Sequence, residues 1–112
     1  MASPLNVFKT VTGEITSSDT LLYTAPTGFT GIILMAQVSN VTSSDASVTF
    51  SHVDSSDITR TELAKDFVIP GNDAASLITG KLVLEEGASI EVGGSPSNYL
   101  KITLSVLESL NA

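Results

Sequence analysis

Apolar and polar residues alternate in short stretches along almost the whole chain, and clusters of Gly, Pro, Asn and Ser interrupt the alternation about every eight to twelve positions. The pattern is clearest between Tyr99 and Leu107, where aliphatic side chains occupy every second position from Leu100 to Val106. A strand of an antiparallel sheet has this pattern when one face lies on a core and the other meets water. The chain is therefore predicted to be all-β: a single-domain antiparallel β-sandwich, jelly-roll-like, of about eight strands.

The other predicted strands lie between the turn-forming clusters. In chain order they are Leu5–Ile15, Thr20–Thr24, Gly31–Asn40, Ser47–Val53, Thr59–Phe67, Ala75–Thr79, Lys81–Leu84 and Ser89–Val92. Gly31–Asn40 is the most apolar run of the chain, which favours a central strand that is covered on both faces.

The segment Thr59–Phe67 permits two interpretations. Its residues from Glu62 to Lys65 could form two helical turns, because all four have good helix propensity. However, every second residue from Thr61 to Ile69 also forms a period-two series that Pro70-Gly71 ends abruptly. We favour the strand.

The composition excludes several kinds of chemistry. The chain has 112 residues, no cysteine and a single histidine, His52. One domain of this size has one core, and disulfides, thiolate metal sites and multi-histidine zinc sites are excluded. A lone histidine also argues against a catalytic relay, and no serine lies in a Gly-x-Ser-x-Gly elbow. We expect neither enzymatic activity nor a bound metal or cofactor.

The charge and the apolar runs limit the partners. Twelve acidic against five basic residues give a formal net charge of −7, which repels the phosphate backbone of nucleic acids. No apolar run approaches the length that spans a bilayer, and Met1 to Pro4 lack the basic and apolar layout of a signal peptide. We therefore expect no nucleic-acid partner, no membrane partner and no export by the ordinary secretory route.

The acidic residues and the histidine have ordinary structural interpretations. Asp54 and Asp57, with Glu62 nearby, could offer oxygen ligands to Ca²⁺, but their spacing does not match an EF-hand loop and Asp and Ser are common turn residues. We favour a solvated turn. Glu85-Glu86 precedes Gly87 and is also interpreted as a turn, and His52 is expected at the edge of the core.

Three aromatic residues near turns permit a binding role. Tyr23, Phe29 and Tyr99 could stack on sugars, and two of them adjoin Pro and Gly turns. The alternative, which we favour, is that they cap the ends of the sandwich.

One ordered series of short motifs extends over about residues 20 to 108. It consists of Leu22–Gly28, Asn40–Thr42, Val48–Phe50, Val53–Ser56, Ile69–Pro70, Gly80–Ile90 and Leu104–Glu108. In this order they resemble a group of small tailed-bacteriophage virion proteins, many of them from marine and cyanobacterial phages. The resemblance implies a single β-sandwich with a structural role on the particle, in many copies and located in a virion that is assembled in the host cytoplasm.

Within such particles, the leading prediction is a capsid decoration or cement protein that binds the major capsid protein, or other virion proteins, at capsomer junctions. A homo-oligomer is expected, either a trimer or another symmetric cluster. The first alternative is a structural part of the neck, baseplate, tail or fibre. The second is a host-glycan-binding module that uses Tyr23, Phe29 or the loop from Asp54 to Asp57. Copy number per particle separates the first two roles.

The N-terminal residues complete the predictions. Residues 1–8, with Pro4 near the start, are expected to form an arm that reaches over a neighbouring subunit or adds a strand to its sheet edge, and residues 9–112 to form the sandwich. Leu5 and Phe8 are the expected anchors of the arm. With Tyr23 and Phe29 they are the predicted partner-binding residues.

Overall fold

The computed structural model describes residues 6–56 and 59–111 and contains no helix in these ranges. Nine strands make up the fold: β1 (Asn6–Ile15), β2 (Thr20–Thr24), β3 (Phe29–Asn40), β4 (Ala46–Val53), β5 (Arg60–Ile69), β6 (Ala74–Ser76), β7 (Leu82–Leu84), β8 (Ser89–Ser95) and β9 (Leu100–Leu110). The described part of the chain thus offers no helix that could cross a membrane.

The strands form two antiparallel sheets. Sheet I has the order β1-β9-β3-β6, with β7 also paired to β3, and sheet II has the order β2-β8-β4-β5. The chain passes repeatedly from one sheet to the other, so most sequential strands face each other across the core and only β4 and β5 are sequential neighbours within a sheet. The prediction of an all-β, single-domain sandwich is confirmed, with nine strands in place of about eight.

The core lies between the inner faces of the two sheets. In β9, the alternating residues from Leu100 to Val106 are at most 1% exposed, and Phe50 of β4 is fully buried opposite them in the core cluster. Burial of one such side chain contributes about 1.5–3 kcal/mol. The period-two pattern therefore gives the correct inner face of the last strand.

The segment from Thr59 to Phe67 is extended, as favoured, and belongs to β5. It is held by pairing with β4 and by Ile69, which is fully buried at its end. This burial and pairing outweigh the good helix propensity of the residues from Glu62 to Lys65, because propensity differences are only tenths of a kcal/mol per residue.

The prediction that β3 is covered on both faces is wrong. Its inner side chains Ile33, Ala36 and Val38 are fully buried, whereas Ile32 and Leu34 remain partly exposed. The physical reason is that the second layer of the sandwich covers only one face of sheet I, and no described strand packs on the other.

The predicted arm overlaps the first strand. Asn6, Val7 and Phe8 pair with Ser109, Glu108 and Leu107 of β9. Residues 1–5, which include Leu5, lie outside the described residues, and so does Asp57 of the predicted acidic loop.

Candidate interaction surface

A row of apolar side chains crosses the outer face of sheet I. In the strand registers Phe8 of β1 lies opposite Leu107 of β9, Leu107 lies opposite Ile32 of β3, and Ile32 lies opposite Val83 of β7. Residues that are directly opposite in antiparallel strands point to the same face. We call these four residues, Phe8, Leu107, Ile32 and Val83, the outer row.

The outer row is open to solvent at both ends. Phe8 is 74% exposed and Val83 is 55% exposed, while Leu107 and Ile32 between them are partly buried. An exposed aromatic residue that continues into aliphatic neighbours on adjacent strands differs from the scattered single apolar residues of an ordinary surface.

An irregularity in β3 widens the row. The register between β3 and β9 shifts between Ile33 and Met35, which leaves Leu34 without a direct partner. Leu34 and Met35 are both partly exposed, and Leu34 lines a shallow depression with Phe8. The apolar surface thus extends from the row to one side.

Uncharged residues, four of them with a hydroxyl group, lie beside the outer row towards the middle of sheet I. The next positions of β1, β9 and β3 towards the middle of the sheet bring together Thr10, Ser105 and Met35, and those after them Thr12, Thr103 and Gln37. These neighbours carry no charge, whereas charged residues lie near the two ends of the row, where Lys9 lines the depression beside Phe8 and Asp54 and Glu85 line a depression beside Val83.

A buried polar group supports the strand that carries the row. Glu108 follows Leu107 in β9 and points inward, where it is buried. Its Oε2 accepts a hydrogen bond of 2.6 Å from the Tyr23 hydroxyl of β2, and its Oε1 lies 3.2 Å from Nζ of Lys9 in β1. The group links both sheets and attaches the edge strand β1 to β9.

The ring of Tyr23 reaches Glu108 over a glycine. Gly31 lies opposite Glu108 in β3, and a Cβ at this position would come within 3.1 Å of the Tyr23 ring and hydroxyl. Burial raises the pKa of Tyr23 above its usual range, and the hydrogen bond to Glu108 and the charge of that carboxylate raise it further. The tyrosine is therefore a neutral donor to the buried carboxylate.

The four predicted partner-binding residues have different surroundings. Phe8 lies in the outer row, and Phe29 is partly buried at the start of β3, opposite Leu110. Tyr23 is buried in the core and its hydroxyl is bonded to Glu108, so it offers little surface to a partner or to a sugar. Leu5 lies outside the described residues.

The other candidates lie in turns and at the core edge. Asp54 Oδ1 accepts hydrogen bonds from the backbone N–H and the hydroxyl of Ser56, and these bonds lower the pKa of Asp54. Glu86 accepts a bond from the N–H of Gly28. His52 is partly buried opposite Ile90. In residues 6–56 and 59–111 no three metal-ligating side chains come together.

Sequence reasoning named Phe8 as a partner-binding residue, which stays a prediction, and gave no indication of the other three residues of the outer row. Ile32, Leu107 and Val83 are far apart in the chain, and only the strand registers bring them together. A signal was present in β3, where apolar residues occupy both faces, but it was interpreted as double coverage by this chain.

Solved structures that share this fold include two at low sequence identity. No protein-family model and no curated protein sequence matches the chain. A chain of the Bacillus endospore appendages, described as a family of disulfide-linked pili, is 9% identical with a TM-score of 0.58, over 96% of this chain and 88% of that one. A chain of the acid-stable capsid of Helicobacter pylori bacteriophage KHP30 is 11% identical with a TM-score of 0.58, over 99% of this chain and 92% of that one. At these identities the likeness establishes a common sandwich fold.

Proposed function

We propose that the chain is a structural protein of a bacteriophage virion, and more specifically a capsid decoration protein that stabilises the head shell by binding at capsomer junctions. The observation that carries the proposal is the outer row: an apolar surface on the sheet face that the described part of the chain leaves uncovered. Its partner would be the major capsid protein or another virion protein.

The structural neighbours support a role in an assembly and help to choose between a pilus and a capsid. One neighbour belongs to a phage capsid and the other to disulfide-linked pili, and both match along nearly the full length of the two chains compared. The 112 residues contain no cysteine, so they cannot join copies by disulfides as those pili do. The capsid role needs only non-covalent contacts.

The composition of the outer row suits such contacts. Interfaces are enriched in aromatic residues and depleted in charge at their centres, and Phe8 with its aliphatic neighbours has this character. A protein that binds only the assembled lattice stabilises it by mass action, by an amount set by its affinity. Many copies, each with a modest affinity, then add up to a strengthened shell.

The burial of Tyr23 weighs against the glycan-binding alternative. Sugar recognition by stacking needs an exposed ring face. Of the three aromatic residues that could stack on sugars, Tyr23 is buried, and Phe29 and Tyr99 are only partly exposed. The neck, baseplate and tail roles use the same kind of surface, and copy number distinguishes them from decoration.

The test compares two valines of equal exposure. Val83, in the outer row, is 55% exposed, and Val41, away from it after β3, is 54% exposed. We expect Val83→Ser, and more strongly Phe8→Ser, to weaken binding to capsids that lack the chain by about tenfold or more, which is about 1.4 kcal/mol. Val41→Ser should bind as the wild type does.

Binding is measured by co-sedimentation with capsids, and thermal unfolding of each variant checks its fold. Mass spectrometry of virions then gives the copy number, for which hundreds per particle are expected. Equal binding by the Val83 and Val41 variants would show that the outer row is not part of the interface. A few copies per particle would assign the chain to the neck or tail instead.

A further inference from the structure

A second apolar surface lies at the open side of the sandwich, between β5 of sheet II and the β6–β7 region of sheet I. Two adjoining depressions of about 260 and 240 Å³ share Leu63 and Leu77 in their walls. Leu63 is 41% exposed and Phe67 is 45% exposed. We call the two depressions together the edge groove, and its walls are formed by Leu63, Ala64, Lys65, Phe67, Ser76, Leu77, Ile78, Thr79, Lys81 and Leu82.

The backbone of β5 is irregular where it forms a wall of the groove. The pairing of β5 with β4 is irregular at two points, around Leu63 and between Ala64 and Phe67, and Asp66 has a φ of 49°. A regular strand sends alternate residues to opposite faces, yet Leu63, Ala64 and Lys65 follow one another in the same wall. Bulges of this kind re-aim side chains and are found next to functional sites.

The same bulges make strand addition at this edge unfavourable. β5 pairs only with β4 and is the last strand of its sheet, but a kinked strand with a lysine at its edge is a poor template for another strand. Recognition at the groove therefore depends on side chains that enter the depressions and on charge.

The charge of the groove is opposite to that of the protein. The chain has five basic residues and a net charge of −7, yet two of the five, Lys65 and Lys81, line the groove, and none of its walls is acidic within the described residues. Lys9 and Arg60 are paired with carboxylates. Lys65 and Lys81 have no ion-pair partner among the residues that the structure describes.

We propose that the edge groove binds an extended acidic–apolar segment of another protein, with its apolar side chains in the two depressions and its carboxylates at Lys65 and Lys81. The apolar walls supply affinity, and the two lysines favour a segment with carboxylates although the chain as a whole is acidic. This surface is formed by other residues than the outer row and does not depend on the role proposed above.

The test uses the complete chain, labelled with ¹⁵N, and synthetic peptides of about eight residues, a length that can follow β5. One peptide alternates Leu with Glu, a second alternates Leu with Lys, and a third alternates Ser with Glu. We expect the Leu–Glu peptide to shift the amide signals of Leu63, Lys65 and Leu77 in a saturable manner, and the other two peptides to bind at least about tenfold more weakly.

Charge reversal gives the matched controls. The double variant Lys65→Glu with Lys81→Glu should no longer bind the Leu–Glu peptide and should bind the Leu–Lys peptide instead. Lys101→Glu, on the outer face of sheet I, should bind the peptides as the wild type does. Peptide binding should also persist in Phe8→Ser. Equal binding of the Leu–Glu and Leu–Lys peptides, shifts confined to the outer row, or no binding at millimolar peptide would each overturn the proposal.

Discussion

Replacing Tyr23 by Phe tests how much the hydrogen bond between Tyr23 and the buried carboxylate of Glu108 stabilises the sandwich. The substitution removes the 2.6 Å hydrogen bond to Glu108 and leaves that buried group with Lys9 as its remaining side-chain partner. Hydrogen bonds to charged groups contribute about 1.5–3 kcal/mol. We therefore expect Tyr23→Phe to lower the free energy of unfolding at pH 7 by about 2 kcal/mol, measured by urea denaturation.

The pH dependence gives a second, independent signature. The pKa of Tyr23 is raised in the folded state, so above the usual tyrosine pKa of about 10 the unfolded chain loses a proton that the folded chain retains. The unfolded state then binds fewer protons, and stability falls as the pH rises above 10. This part of the alkaline loss should be missing in Tyr23→Phe and present in Tyr99→Phe, the matched control at the only other tyrosine.

A double-mutant cycle with Glu108→Gln isolates the pair. We expect a coupling energy above about 1 kcal/mol, because both groups are in direct contact and out of water. Additive effects of the two substitutions would refute the reasoning, and so would an alkaline stability profile that is the same in Tyr23→Phe and wild type.

Two further predictions concern β3 and the N-terminal segment. Gly31→Ala places a Cβ about 3.1 Å from the Tyr23 ring and hydroxyl, so it should destabilise the fold by about 1–3 kcal/mol in urea denaturation, and much less in a Tyr23→Ala background; equal costs in both backgrounds would contradict the proposed clash. Deleting residues 1–5, which precede β1, should weaken attachment to capsids in co-sedimentation while the melting temperature stays within a few degrees of the wild type; unchanged attachment would show that residues 1–5, with the predicted anchor Leu5, do not contribute to the interface.

The sandwich could be predicted from local patterns because its core depends on alternation. In β9 every inner residue from Leu100 to Val106 is an aliphatic side chain, and turn-forming residues such as Pro70 end the strands. The ends of strands are predicted less well: β8 was predicted to end at Val92, but it continues through Gly93 and Gly94 to Ser95. These glycines lie against the backbone of neighbouring segments, an approach that no local pattern reveals.

Long-range contacts limited what the sequence could predict about the surface. Tyr23 lies next to a turn-forming segment, which is compatible with an exposed ring. In the structure its hydroxyl donates a hydrogen bond in the core to the carboxylate of Glu108, which is 85 positions away in the chain. The edge groove has no sequence signal either, because it depends on two bulges that arise where β5 meets β4. Phe8 was accessible to prediction, since it lies on the side of its strand opposite Val7 and Val11.

The central strand β3 connects these observations. A strand with apolar residues on both faces buries all of them only if both faces are covered, and the described part of the chain covers one. Ile32 and Leu34 therefore retain exposed apolar area that would contribute about 25 cal/mol per Å² if buried. Because Phe8, Leu107 and Val83 align with Ile32 on three other strands, the missing cover is expected to come from another molecule. Single substitutions along the outer row should thus affect assembly more than folding.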